Sequence, residues 1–292
     1  MQDFNNKVAV ITGAASGIGQ GLARHCASEG MRIVLSDLNE AALHSLAEEL
    51  VATGCQLIAV VTDVSRPQAL ENLADAAYAE FGQVDLLINN AGVLISGYSW
   101  ERPIEDWQWI LNINLMGVVH GLHSFVPRML AQKTPGHIVN TSSLAGLLAA
   151  PLMGPYTVSK HAVVALTETL HYELASIDAQ LKVSVVCPGP IATGIAGSGG
   201  QRQVGSPPGD KATEQLMGFL SAGIAQGMSP ADCAERIFQG IREEKFWIFT
   251  HEDFKASYQC RTDSVMHNIN PDYQQYTVAK KNVPNVGRSV VR

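Results

Sequence analysis

YTVSK, residues 156 to 160, sets a tyrosine four places before a lysine, a spacing that suits proton transfer. A free phenol, with a pKa of about 10, is too basic to exchange a proton efficiently near neutrality. A neighbouring ammonium stabilises the phenolate and lowers that value. Residues four apart on a helix share a face, so a tyrosine aimed at a substrate oxygen keeps its lysine beside it. The same spacing recurs in YTVAK, at Tyr276 and Lys280, and only surroundings can separate the two copies. Upstream of Tyr156 the β-branched run HIVNTSS ends at Ser143, whose hydroxyl could donate or accept a hydrogen bond at the same substrate oxygen; downstream, HAVVALTETL can pack on a sheet. Asp263 stands in the place of that serine relative to Tyr276, and Pro284 and Gly287 stop any helix beyond it. Tyr156 and Lys160 are therefore the candidate catalytic pair. A buried tyrosine with a satisfied hydroxyl and a strand-end turn serine are the plain alternatives.

TGAASGIGQG follows the first apolar run and opens a helical one. Gly13, Gly17 and Gly19, with Ser16 and Ile18 between them, would let the backbone turn tightly and approach a pyrophosphate at a helix N-terminus. The second run ends in Asp37, followed by Leu38. A carboxylate there can accept hydrogen bonds from both hydroxyls of an adenosine ribose and repels a 2′-phosphate, and neither Ser16 nor Leu38 supplies a cation to offset that repulsion. NAD is favoured over NADP, with Asp37 as a simple N-cap of the next helix as the competing reading.

These residues need a frame. Between residue 7 and about 190, apolar β-branched runs (VAVIT, RIVLS, QLIAVV, VDLLIN, HIVNTS, KVSVVC) alternate with helical periodicity at 17 to 29, 39 to 53, 67 to 81, 103 to 131 and 155 to 177. Continuous apolar strands separated by helices predict a doubly wound α/β domain, its parallel sheet covered on both faces and its ligands at the carboxyl ends of the strands. Residues 194 to 228 change character, with a Gly- and Pro-rich stretch and an amphipathic piece from Ala212 to Gly227, and read as a mobile substrate flap. Ser229 and Pro230 then suit a helix start, and KFWIFT a last strand. The expected organisation is one domain over 1 to 250 and a polar extension over 251 to 292 without a core signal.

The chain has 292 residues, 46% of them hydrophobic, and a net charge of −7, which argues against nucleic acid and anionic membrane as partners. Its longest apolar stretch, Leu144 to Gly154, is too short to span a bilayer. Five scattered cysteines without a CxxC pair fit reduced thiols and a cytoplasmic location. His120 and His123 form an HxxH without an evident third ligand, so no metal is expected.

With the motifs taken in order (Thr12-Gly13-x-x-x-Gly17-x-Gly19, Asp63-Val64, Asn89-Asn90-Ala91-Gly92, Asn114, Ser143, Tyr156-x-x-x-Lys160, Pro188-Gly189 and Thr193), the chain resembles the short-chain dehydrogenases/reductases from residue 7 to about 250. The resemblance implies a seven-stranded Rossmann-type sheet, a nicotinamide cofactor, a Ser-Tyr-Lys centre and a homotetramer or homodimer. It also implies that Asn114 holds a water passing protons from Lys160. Asp63 and Val64 would brace adenine, Asn90, Ala91 and Gly92 would meet adenosine, and Pro188, Gly189, Ile191 and Thr193 would hold carboxamide and phosphates; plain turns are the alternatives. Flap and tail are similar to those of NAD-dependent bacterial members that oxidise bulky aryl or terpenoid secondary alcohols. Ile95, Met153 and Ile195, with Leu94, Tyr98, Leu152, Gly154, Leu216, Met217, Phe219 and Leu220, are candidate walls for a hydrophobic alcohol or ketone. The leading function is an NAD-dependent secondary-alcohol dehydrogenase; an NADPH-dependent 3-ketoacyl reductase and a non-catalytic NAD-sensing regulator compete with it. Tyr156→Phe is expected to abolish turnover and Tyr276→Phe to leave most of it, as steady-state rates of the two variants will show.

Overall fold

The computed structural model describes residues 1–201 and 211–271. Six short apolar runs form β1 (Val8–Thr12), β2 (Arg32–Asp37), β3 (Leu57–Val61), β4 (Leu86–Asn89), β5 (Gly136–Thr141) and β6 (Leu181–Cys187), and Trp247–Phe249 adds β7. All pair in parallel in the order β3-β2-β1-β4-β5-β6-β7. The order reverses between β1 and β4, and at such a point two neighbouring strands send their chains to opposite faces and leave a crevice at their carboxyl ends. Thr12, Asn89, Thr141 and Cys187 end the strands that border it.

The helices are α1 (Gly17–Ser28), α2 (Glu40–Ala52), α3 (Pro67–Phe81), α4 (Ile104–Leu111), α5 (Gly117–Gln132), α6 (Gly154–Ser176), α7 (Lys211–Ala225), α8 (Pro230–Arg242) and α9 (Lys255–Met266). They cover both faces, which is why β1 and β4 are buried at every position and contain no polar-apolar alternation. One core layer joins Leu22, Ile33, Leu35, Leu46, Ile237 and Phe238, and the opposite layer joins Val10, Val34, Leu73, Phe125, Met129 and Ile138. α8 starts as expected, its Ser229 hydroxyl accepting from Asp232 N at 3.0 Å with Pro230 in the first turn.

Three expectations change. The helix expected over 103 to 131 is interrupted by a π-helical turn, Asn112–Met116, which departs from the regular backbone where Asn114 turns inward. The composite helix Ile104–Gln132 is long and apolar enough to cross a membrane by length and composition alone. Its fully buried Phe125 and Met129 pack instead against the sheet. The extension beyond 250 does carry a core residue: Phe254 is buried with Leu147, Val164, Val185 and Cys187, and α9 follows it. A single buried phenylalanine in a polar stretch leaves no periodic signal. Tyr276 and Lys280 lie outside the described residues.

His137, buried inside β5, places Nε2 2.7 Å from the Ser184 hydroxyl, which itself donates to Lys245 O at 2.6 Å. Nε2 is therefore the donor, and a proton added at Nδ1 would find no acceptor among the described residues. Burial lowers the His137 pKa to about 3. The unfolded chain, with an ordinary histidine, binds more protons between those values, so folding stability falls as pH drops from about 6.5 toward about 3. Urea denaturation should show wild type losing about 1.4 kcal/mol per pH unit more than His137→Asn across the middle of that window.

Candidate active site

A cavity of about 1210 Å³ runs along the carboxyl ends of the strands, from Asp37 past the glycine loop to Lys160 and on to the apolar residues of α7. At one end Gly13 and Gly17 adopt positive φ of 65° and 52°. A Cβ on Gly13 would lie 2.8 Å from Ala91 Cα, and one on Gly17 2.9 Å from Thr193 Cγ2, so the loop packs closely against both neighbouring turns. Thr12 and Asn90 lock it. The Thr12 hydroxyl accepts from Asn90 N and Ala91 N at 3.0 and 3.2 Å, and the Asn90 amide donates to Thr12 O and Gly13 O at 3.1 and 3.3 Å. Ser16, the N-cap of α1, makes no side-chain capping bond, leaving first-turn N–H groups for an anion at the helix's positive end.

Asp37 Oδ2 accepts from Ala15 N and Oδ1 from Asn39 N, both at 2.9 Å, which fixes the carboxylate on the cavity wall with lone pairs to spare. Asn39, not Asp37, caps α2, accepting from Ala42 N at 3.1 Å. Leu38 and Val64 also line this end, with Asp63 held by Ser65 N at 3.0 Å and the Ser65 hydroxyl at 2.6 Å. At this end no lysine or arginine stands beside Asp37 among the described lining residues, whereas Asp63 pairs with the exposed Arg66 at 3.2 Å. These features fit a dinucleotide: orphan helix N–H groups for phosphate, a closely packed glycine turn, and a fixed carboxylate for a diol. Ser16, Gly17, Ile18, Asn90, Ala91, Gly92, Pro188, Gly189, Ile191 and Thr193 all line the cavity. Gly19 does not; it lies buried beneath the loop, where a Cβ would meet Gly13 O at 2.0 Å.

At the centre, α6 presents Tyr156 and Lys160, 7% and 2% exposed. Lys160 Nζ donates to Thr141 O at 2.9 Å and lies 5.8 Å from the Tyr156 ring centroid, and Ser142 donates to Lys160 O at 2.8 Å. The Ser143 hydroxyl lies near enough to the Tyr156 phenol to favour its ionised form. Asn114 supports this pair from below. Its Oδ1 accepts from Val93 N at 2.8 Å, and Nδ2 donates to Val93 O at 2.9 Å and to Ser159 Oγ at 3.0 Å. Ser159 in turn donates to Tyr156 O at 2.7 Å. Both amide protons are thus committed, and any water at Asn114 would have to sit on its oxygen acceptors. Ser159 escaped the sequence reading because a serine inside a helix carries no distinguishing pattern.

The sequence reading assigns the lowering of the tyrosine pKa to the lysine ammonium together with the positive nicotinamide ring; among the protein's own groups, burial is the largest influence on the pair. Burial pushes the Tyr156 phenol upward, with the Ser143 hydroxyl opposing, and burial pulls Lys160 down to about 8, Cys187 opposing. Desolvation penalises the charged form of each and is the largest influence on both. Beyond the pair, Leu94, Tyr98, Leu152, Met153, Ile195, Leu216, Phe219 and Leu220 line an apolar end, joined by Trp109, Leu148 and Phe254, which sequence reasoning did not single out. Ile95, Met217 and Gly154 lie off the wall, Ile95 packed behind it. His120 Nδ1 sits 2.9 Å from Val64 O, and no group of metal-ligating side chains occurs among the described residues.

Fold and site together define a Rossmann-type α/β protein with a buried tyrosine-lysine pair lining one long cavity at the carboxyl ends of the strands. The model of the short chain dehydrogenase family matches residues 7–203, and the chain belongs to that family of oxidoreductases. It is 34% identical over 278 residues to a CLA biosynthesis dehydrogenase/reductase of Lactiplantibacillus plantarum, covering 93% of this chain and 97% of the relative. It is 31% identical over 268 residues to the 1-deoxy-11-beta-hydroxypentalenate dehydrogenase of Streptomyces exfoliatus, covering 91% and 90%. A short chain dehydrogenase/reductase from Burkholderia phymatum, solved in complex with NAD, superposes with a TM-score of 0.90 at 41% identity, covering 93% of this chain and 98% of that one.

Lys160 also yields a stability test. Its pKa falls from 10.5 unfolded to about 8 folded, so below about 8 the folded state carries the full cost of a buried charge, and stability rises with pH between those values. Lys160→Met should be more stable than wild type at neutral pH by an amount on the order of 3 kcal/mol, the gain shrinking toward pH 10.5 in urea denaturation.

Proposed function

We propose that the chain is an NAD-dependent dehydrogenase of bulky hydrophobic secondary alcohols. The observation that carries this reading is the continuity of one cavity, which joins a dinucleotide-shaped end, a buried Ser143-Tyr156-Lys160 centre and an apolar end. Asp37, with no cation beside it among the described lining residues, favours NAD, since a 2′-phosphate there would meet its negative charge. NAD would be held by the glycine loop, Asp37, Val64, Asn90 and the turn from Pro188 to Thr193, and would supply the hydride acceptor.

In the direction of oxidation the Tyr156 oxygen, as phenolate, takes the proton of the substrate hydroxyl, and Ser143 hydrogen-bonds the same oxygen to fix its orientation. Lys160 stabilises the phenolate with its charge. A group whose pKa lies near the working pH can also pass the proton onward, and Lys160 at about 8 meets that condition. Asn114 holds the frame by bracing Val93 and, through Ser159, the backbone of Tyr156. Trp109, Leu148, Phe219 and Phe254 exclude water and set the preference for a large apolar body. The Streptomyces and Lactiplantibacillus relatives, named for 1-deoxy-11-beta-hydroxypentalenate and for CLA biosynthesis, support a substrate that carries an alcohol or ketone on a larger body.

A panel of aryl, terpenoid and short aliphatic secondary alcohols with NAD and NADP, read by reduced-nicotinamide absorbance, tests the reading. The expected result is a larger kcat/KM with NAD and with bulky alcohols; a preference for NADP, or hydride transfer with none of the panel, would overturn it.

A further inference from the structure

We propose that Thr250 and His251, just past β7, form a positioning pair that holds the Pro188–Gly189 turn from behind and thereby tunes dinucleotide binding. The inference rests on the dinucleotide reading of the cavity and assigns a role to residues that do not themselves line it. Thr250 is fully buried, and its hydroxyl accepts the Gly189 N–H at 3.0 Å. A hydroxyl that accepts there must send its own proton elsewhere, and His251 Nδ1 lies 2.8 Å away. The buried position therefore assigns His251 as a neutral ring with Nδ1 as acceptor.

The ring also supports the turn by contact. A Cβ added to Gly189 would lie 2.6 Å from His251 Nδ1 and 2.8 Å from Cγ, so the imidazole occupies the space directly behind the glycine. The pair is anchored in turn, because Arg236 on α8 donates from Nη1 to Thr250 O at 2.5 Å. On the other side of the turn, Pro188 O accepts from Leu144 N at 3.0 Å, next to Ser143. The turn is thus clamped between the catalytic strand end and the last strand, and a shift of Gly189 would move a wall of the cavity. Farther along the same segment, Asp253 and Phe254 line the cavity directly. Residues 250 to 254 accordingly form one functional stretch across the boundary that sequence placed at 250.

The charged groups acting on His251 are Asp253 on its own segment and Arg236 from α8, and the Gly189 turn contributes none. Burial holds the ring below its ordinary pKa, Asp253 opposing and Arg236 assisting. Protonation puts a hydrogen on Nδ1 and leaves the buried Thr250 hydroxyl without its acceptor, so the turn loosens at acid pH.

Fluorescence titration with NADH, alongside steady-state kinetics and melting of the free protein, tests the pair. Thr250→Val should raise the NADH Kd and the KM for NAD about tenfold, the effect of orphaning one buried N–H, with a smaller change in kcat; Thr250→Ser should bind as wild type does. His251→Asn, which can keep an acceptor near Nδ1, should retain binding that His251→Leu loses. It should also lack the rise in Kd that wild type shows as the pH falls below the ordinary histidine range. Asp37→Ala separates the two layers of the reading. If it weakens NADH binding while folded Thr250→Val and His251→Leu bind normally, the positioning pair is wrong and the dinucleotide site stands. If wild type itself shows no NADH binding, the dinucleotide reading fails and the proposal with it. Should Thr250→Val not fold, the two His251 variants decide alone.

Discussion

A parallel sheet buries both faces, so its strands can offer chemistry only where they end, and everything at this site depends on four of them ending together. The registers that pair Ile11 with Ile88, Asn89 with Asn140 and Thr141 with Val186 bring the glycine loop, the Asn90 turn, Ser143 and Pro188 to one edge. A slip of one residue in any pairing would turn that strand's side chains over and move its terminal turn along the sheet. The apolar interior is thus also the ruler that sets distances in the site.

On that edge, polar groups are organised by buried hydrogen bonds. Thr12 and Asn90 tie two turns into one surface, and Asn114 ties the segment at Val93 to the first turn of α6 through Ser159. Such groups are costly to bury alone and specify one arrangement when every member is satisfied. The π-helical turn at Asn112–Met116 fits this network: the local backbone departs from ideal geometry where an asparagine has three inward partners. Burial has a second effect on Tyr156 and Lys160. It withdraws water from both and shifts their pKa values in opposite directions, the phenol upward and the ammonium down to about 8, each toward its neutral form.

Much of the frame was legible because its signals are local. Val8–Thr12 is an apolar β-branched run with no polar alternation, Leu181–Cys187 is rich in valine, Ser229-Pro230 is a helix start, and the glycines sit between a strand and a helix. Tyr156 and Lys160 were legible through their spacing and Ser143 through its place at a strand end. What escaped was decided by contacts distant in sequence. Phe254 follows a polar stretch yet fills a gap among Leu147, Val164 and Cys187. Ile95 reads like a wall residue and packs behind the wall. Gly19 belongs to the glycine motif and serves the packing of α1 beneath the loop.

Sequence by itself determined the α/β alternation, the strand ends, and which tyrosine has a serine and a helix to support it, because periodicity and spacing act within a few residues along the chain. Tertiary structure decided that Asn39 rather than Asp37 caps α2, that burial rather than the neighbouring ammonium governs the Tyr156 phenol, and that residues 250 to 254 stand against the Pro188–Gly189 turn. Each of these depends on desolvation or on a hydrogen-bond partner brought close only by folding, and neither quantity is written in the order of the residues.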